Sequence, residues 1–461
     1  MVSLRLNAQQ LVEARNGVSP PGREPRRYAI GLAAALTLIV AAMVIPAATG
    51  WQVYANTLAP LHAEWIPRLG WGTVPAIVLA VAAARFAVNA ATHLRWGIVL
   101  LVAFASGLAW LLSLALVDGP SGLGAILDNS HEYLRTARSI TDVGATLGGY
   151  IARIPLDAPD NWPTHVAGHP PGAVLFFWVL VQIGLGGWLS AGIIVTLLGA
   201  TIPVAVAITL RRLDAESAAR RALPFLTLGP SALWVAVSAD GMFAAVAAWG
   251  LCCLAIAATS TSRLSTAAWG LAAGIVLGYC VFLSYGLILL AVLALSMVIL
   301  ARSWRALPWA IGGAGAVALG FAASGFAWWA AYPVLVERYW DGLASRRPIG
   351  YWIWGNLAAL AISAGPILGS TTAAALVGLR GGRAWLTDNR AVVFLTLAAT
   401  ASIVLANASG MSKAEVERIW LPFVPWLLVG TALLPDTWRR WGLALQLLFA
   451  VLAQHLLFTG W

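Results

Sequence analysis

The chain has 461 residues, 60% of them hydrophobic and only 10% charged. A soluble domain carries roughly a quarter charged residues, so this composition excludes a water-soluble globular enzyme and implies an all-α, polytopic membrane protein. The net charge of +10 does not imply nucleic-acid binding, because the basic residues sit in short loops between apolar runs, as the positive-inside rule produces.

Residues 1–27 contain Arg5, Arg15, Arg23, Arg26 and Arg27. No cleavable signal pattern follows, because the next apolar run is long enough to span, and the segment reads as a cytoplasmic N-terminal tail. The remainder, 28–461, reads as one transmembrane domain. Apolar runs place crossings near 28–49, 71–91, 96–117, 190–210, 222–236, 241–259, 264–284, 286–302, 307–330, 351–376, 390–407, 419–434 and 441–459. The run 173–188, AVLFFWVLVQIGLGGW, is assigned to the outer interface instead. If it crossed, Arg211, Arg212, Arg220 and Arg221 would lie outside and every later loop would invert. With that choice most of the basic residues fall inside and most of the carboxylates outside. The expectation is thirteen crossings, with the N-terminus in and the C-terminus out. Cys252, Cys253 and Cys280 lie inside apolar runs with no metal-ligand spacing and read as core residues.

Four outward segments then stand out: 118–172, the turn VSADG around Asp240, 332–351 and 408–423. The first is the longest polar interval in the chain and is expected to carry the chemistry, because ionisable groups are costly near lipid and are kept where they have a use. Within it, Asp128 and Glu132 are spaced i, i+4 with His131 between them. On a helix both carboxylates would share one face, followed by Arg135 and Arg138 on the next turn. A carboxylate at the interface can act as a general base toward a sugar hydroxyl; the alternative is an amphipathic interfacial helix with solvated charges. His165 and His169 are also i, i+4, but Gly168, Pro170 and Pro171 argue against a regular helix and against a metal pair. A phosphate- or sugar-binding role suits these histidines better. In the last segment, Lys413, Glu415, Glu417 and Arg418 precede an apolar run. A guanidinium at that depth suits a lipid phosphate, with a snorkelling interface arginine as the alternative. Arg338, Arg346 and Arg347 form a second basic cluster beside Glu337 and Asp341. Asp240 is either a site carboxylate or the N-cap of the helix that follows. Trp340, Tyr351, Trp352 and Trp354 are either sugar-stacking or interfacial-belt aromatics.

The stretch LDNSHEYL followed by His169-Pro170-Pro171-Gly172 resembles the first large loop of the GT-C glycosyltransferases, in particular the protein mannosyltransferase and aminoarabinose transferase branch. GPSALWVAVSADGMF resembles that family's later turn with a second acidic residue. The whole chain, including SKAEVERIWLPFVPW and ERYWDGLASRRP, is similar to actinobacterial integral membrane proteins of the methylthioxylose transferase type. Two features depart from the family pattern. The acidic loop follows the third crossing rather than the first, and the adjacent Asp-Glu pair is spread into Asp128 and Glu132.

The resemblance implies an inverting transfer of a sugar, such as methylthioxylose or another pentose or hexose, from a polyprenyl-phosphate carrier. The acceptor would be a cell-envelope glycan or lipoglycan of the lipoarabinomannan kind, at the outer face of the cell membrane. Asp128 matches the catalytic acidic position, with Glu132 as the alternative base. His169 and Pro170 match the loop motif, and Asp240 matches the second acidic position. Arg418, helped by Arg346 or Arg347, would hold the leaving phosphate. A phosphate held by arginines requires no metal, so no cofactor is obligatory, although a divalent ion is compatible with the scheme. The competing class is a transporter or flippase for a lipid-linked sugar, for which repeated halves and midplane charges would be expected.

Overall fold

The computed structural model describes residues 24–55 and 58–459. The tail read from residues 1–27 therefore lies outside the described residues as far as residue 23. Helices make up most of the described residues, and the sole sheet among them is a two-stranded antiparallel contact pairing Glu64 with Phe458 and Trp65 with Leu457. Seven helices are long and apolar enough to cross a membrane, nine if each of two bent pairs counts as one span. The seven coincide with the expected runs beginning at 28, 71, 96, 190, 241, 264 and 390.

The other runs are interrupted, for local reasons. The run 222–236 divides into Glu216–Thr227 and the short Ala232–Val235, with Pro230 between them. The run 307–330 bends by 72° after Ala323, where Gly325 has φ of +99°. The run 351–376 bends by 101° between Ser363 and Ile367, at Gly365 (φ +87°) and Pro366. There Gln446 Nε2 donates to the Ala364 carbonyl at 2.8 Å, which satisfies a group the break leaves without a helical partner. The run 286–302 becomes a 3₁₀ turn and the helix Leu290–Ala301, and 419–434 becomes several short turns around Pro425. The run 441–459 lies in Asp436–Leu456, a helix carrying Asp436, Arg439 and Arg440 in its first turns. The residues 173–188 form the helix Gly172–Gln182 and a following turn; eleven residues reach about 16 Å, too short to cross.

The helix Ala239–Thr259 is the core of the bundle: 78% of its apolar window is buried, against 22% for the first helix and 17% for Thr73–His93. It packs on Arg263–Leu283, Ile202–Arg212, Trp188–Ala200 and Leu290–Ala301. Its N-terminus opens onto the polar end of the molecule, where the segments 51–72, 118–172, 332–348 and 409–418 and the C-terminal strand meet. At the opposite end the arginine loops cap one another: Arg220 donates to the Leu94 and Ala91 carbonyls, Arg221 to Leu434 and Arg390 to Leu300.

Candidate functional site

The polar end is built around a strained turn. Ala414 and Glu415 both adopt left-handed backbone, with φ of 71° and 59°, a conformation that non-glycine residues hold only when their surroundings over-determine it. The surroundings here do so. Ala414 N–H donates to Asn356 Oδ1 at 3.1 Å, and Asn356 Nδ2 donates to the Ser412 carbonyl at 2.6 Å. Lys413 N–H donates to the Tyr339 hydroxyl at 3.0 Å, while its Nζ donates to the carbonyls of Ala344 and Arg347 and lies 4.4 Å above the Trp340 ring. The turn aims Glu415 into the bundle and starts the short helix Val416–Ile419, which carries Arg418.

Arg418 is only 6% exposed and joins three elements. Its Nη1 donates to Asp240 Oδ2 at 2.8 Å; its Nη2 donates to Glu415 Oε2 at 2.5 Å and faces His165 Nε2 at 3.2 Å. His165 Nδ1 meets Glu132 Oε1 at 2.8 Å. A guanidinium N–H can only donate, so His165 Nε2 accepts; the ring proton then sits on Nδ1 and is given to Glu132. Arg347 extends the chain of contacts. Its Nη2 lies 3.7 Å from Glu415 Oε1 and donates to His62 Nε2 at 2.9 Å, and its Nη1 donates to the Lys413 carbonyl. Burial lowers the His62 pKa, in keeping with a neutral ring that accepts from Arg347. Burial would raise the Glu415 pKa, but Arg418 and Arg347 outweigh it and hold the carboxyl down at about 2. Burial likewise opposes the charge on Arg418, and Asp240, Glu415 and Glu132 overcome it and raise its pKa. Glu417 is different: it is buried, its Oε2 has no hydrogen-bond partner, and burial pushes its pKa up to about 8. With Glu417 protonated, Arg418, Arg347 and Lys413 balance Glu132, Asp240 and Glu415, which is the condition for burying so many charges together.

Asp240 is not a helix cap. Ser238 fills that position, its Oγ accepting from Gly241 N–H at 2.8 Å. Asp240 follows in the first turn and is 6% exposed. The preceding Val237, a β-branched residue, has φ of 56° and gives its N–H to Thr196 Oγ1 at 3.0 Å. A Cβ on Gly241 would come within 2.2 Å of the Val235 carbonyl oxygen, so no other residue fits there. Strained backbone therefore flanks the arginine network on both segments that feed it.

The acidic loop is not the helix its spacing suggests. Asp128 ends a 3₁₀ turn, Ala125–Asp128, and Glu132 immediately precedes the helix Tyr133–Ser139 without its side chain capping it, so the two carboxylates do not stack on one face. They point into different cavities. Asp128 meets Arg138 Nη1 at 2.7 Å and Arg135 Nε at 3.4 Å; Arg138 is anchored in turn by two N–H bonds to the Gly186 carbonyl. Asp128, Asn129 and Arg135 line an open groove of about 930 Å³, together with Arg68, Asp118, Trp71 and an apolar wall. Glu132, Asp240 and Arg418 line a small cavity of about 20 Å³, which is room for one water. Ile126 and Val237 line both spaces and form the wall between them.

The remaining predicted residues have mostly positioning roles. His169 Nδ1 bonds the His165 carbonyl at 2.9 Å, and its ring packs against Tyr133 and Phe243; burial lowers its pKa to about 4 and keeps it neutral. Pro170 is buried where the chain turns into Gly172–Gln182, and Gly172 touches the Phe282 carbonyl, where a Cβ would sit at 2.4 Å. His131 is exposed and contributes its backbone carbonyl to His165 N–H at 3.3 Å. Arg338 does not face an open site: it pins the acidic loop by donating to the carbonyls of Ile154, Pro155 and Trp162. Arg346 is exposed beside the buried Arg347. Nor does Arg418 face the groove, because its guanidinium is committed to buried acids. Among the described residues no group of three or more His, Cys, Asp or Glu is placed to hold a metal ion.

The segment 51–72 was not anticipated as part of the site. It supplies His62 to Arg347 and Arg68 to Asp118, whose other oxygen accepts from Gln454 at 2.8 Å. The signal for it was a histidine and an arginine in a short loop between the first two apolar runs. No protein-family model, curated protein or solved structure matches the chain.

Proposed function

We propose that the chain is a multi-pass enzyme of the cell membrane, an inverting glycosyltransferase of the GT-C kind that uses a polyprenyl-phosphate sugar. The observation that carries this reading is the 930 Å³ groove, lined by Asp128, Asp118, Arg135 and Arg68 beside an apolar wall, where Asp128 is paired with Arg135 and, behind it, Arg138. That combination suits a donor with a lipid tail, an anionic phosphate and a sugar. The acceptor hydroxyl oxygen attacks the anomeric carbon and gives its proton to Asp128. The bond from that carbon to the carrier phosphate breaks, and its electron pair leaves on the phosphate. Arg135, 58% exposed and loosely held by Asp128, is the guanidinium free to turn toward that phosphate. The Arg418 network positions the loop, the core helix and the segment 408–423 around the groove without touching substrate. The arginine-rich loops at the opposite end support an orientation with the N-terminus inside and the groove at the outer face. The acceptor class is a cell-envelope glycan, and the scheme needs no metal.

A second base is favoured by one contact, the 2.8 Å Glu132–His165 pair. It requires Arg418 to leave His165 Nε2 before that nitrogen can take a proton. The test is glycan analysis of the envelope of a strain lacking the chain, complemented with wild type or Asp128→Asn. Loss of one sugar substituent, restored by wild type alone, supports the transferase and its base. An unchanged envelope in cells that normally express the chain would sink it and favour transport of a lipid-linked sugar.

A further inference from the structure

A second cavity lies at the other end of the first helix, far from Asp128. It is a groove of about 720 Å³ between the helix Glu24–Thr49 and the bent pair Ile349–Ser363 and Ile367–Gly378. Ile30, Ala34, Leu38 and Leu376 represent its lining, which is apolar but for one threonine and two charged residues. Both charged residues are arginines, Arg27 and Arg380, and no acid lines the groove. Its floor is rigid: Gly31 and Gly369 meet backbone to backbone, where a Cβ on either would fall within 2.1 Å of the other's carbonyl oxygen. Both halves of the pair, bent by 101°, pack on the first helix and supply the groove's other wall.

Its dimensions match one leaflet. From Arg27 to Leu38 the helix rises about 16 Å, half of the roughly 30 Å hydrocarbon thickness. Arg27 lies in the first turn of that helix, whose other end leads into the segment bearing His62 and Arg68. Arg380 lines the same groove, so with this helix spanning a bilayer both arginines would stand at headgroup level on the face opposite the Asp128 groove. An apolar trough one leaflet deep, ending in two guanidiniums, is complementary to an amphiphile with an anionic head.

We infer that this groove is a binding site for one anionic phospholipid, its chain along the Arg27–Leu38 face and its phosphate between Arg27 and Arg380. The inference is independent of the sugar chemistry. The test uses the full chain, purified and delipidated, with native mass spectrometry reading occupancy by phosphatidylglycerol, by phosphatidylcholine of the same chains, and by inorganic phosphate. Phosphatidylglycerol is expected to be retained over phosphatidylcholine by about fivefold for each arginine engaged. Arg27→Gln with Arg380→Gln should bring the two lipids level, whereas Arg383→Gln, an exposed arginine outside the groove, should leave the preference intact. Ala34→Trp, which fills the trough but keeps both arginines, should lose the lipid. The arginine variant decides the matter if the tryptophan variant does not fold. Equal retention of the two lipids by wild type, a preference that survives loss of both arginines, or saturable binding of inorganic phosphate that displaces the lipid would each overturn the assignment.

Discussion

Two clusters of carboxylates and arginines, entered by the near neighbours Asp128 and Glu132, lie in different environments. Around Arg418, Glu132 and Asp240 are buried and Glu415 is half-buried, the charges balance, and the backbone on either side is strained. Around Asp128 the same residue types line an open groove, with Asp128 at 30% exposure and Arg135 at 58%. The first arrangement is suited to hold several segments in one geometry; the second retains groups that can change partners. The proposed chemistry, which moves a proton from a hydroxyl to a carboxylate and releases an anion, calls for the second. Residue type alone does not separate the two clusters, whereas burial and charge balance do.

Replacing Arg418 with Gln breaks the comparison most severely. It strands Asp240 as a buried carboxylate and leaves the half-buried Glu415 with Arg347 alone; loss of one partner of a buried ion pair costs about 3–5 kcal/mol. Chemical or thermal unfolding in detergent should show that loss, and a wild-type midpoint would refute a buried network. Asp128→Asn should do the reverse. Its solvated ion pairs are worth about 1 kcal/mol or less, so unfolding is nearly unchanged, while removing a general base lowers turnover by about 10²–10⁴-fold.

Glu417 sharpens the contrast through pH. Its folded pKa of about 8 lies above the ordinary 4.5, so between those values the folded chain binds the proton more tightly than the unfolded one. Its contribution to stability is full below about 4.5, falls as the pH rises through 8, and is constant above that. Glu415, held at about 2, acts oppositely: its contribution is present above 4.5 and lost as the pH falls toward 2. Glu417→Gln, neutral at every pH, should flatten the stability profile between 4.5 and 8 and leave the acid limb in place; a slope as steep as wild type in that window would rule out a proton on Glu417. The smallest effect is expected at Asp118→Asn, which weakens a half-buried pair with Arg68 beside the C-terminal strand. A destabilisation of about 1 kcal/mol or less is predicted, and limited proteolysis near residue 457 should report it more sensitively than global unfolding.

Hydropathy marks where apolar residues gather, and it served where the run is one unbroken helix, whether exposed as in Thr73–His93 or buried as in Ala239–Thr259. It gives no helix length where proline or glycine divides the run. Residues 222–230 and 419–432 are almost wholly buried and are broken by Pro230 and Pro425, so their composition carries no information about span length. The segments that converge on Arg418 were legible, because ionisable residues in an apolar chain are conspicuous. The separation of Asp128 from Glu132 was not: i, i+4 spacing places groups on one face only if the intervening residues are helical, and a 3₁₀ turn followed by an N-cap sets them apart. His62 escaped because its partner, Arg347, is 285 residues away in the chain.

In the proposed scheme the open Asp128 groove does the chemistry and the Arg418 network holds it in place. The most direct measurement is single-turnover transfer from a polyprenyl-phosphate sugar by the purified chain, wild type against Asp128→Asn, with both shown to be folded and to bind donor. The account predicts donor binding within a few-fold of wild type and a transfer rate lower by at least about 100-fold. Transfer at the wild-type rate by a folded Asp128→Asn chain would contradict it and move the base to the buried Glu132–His165 pair.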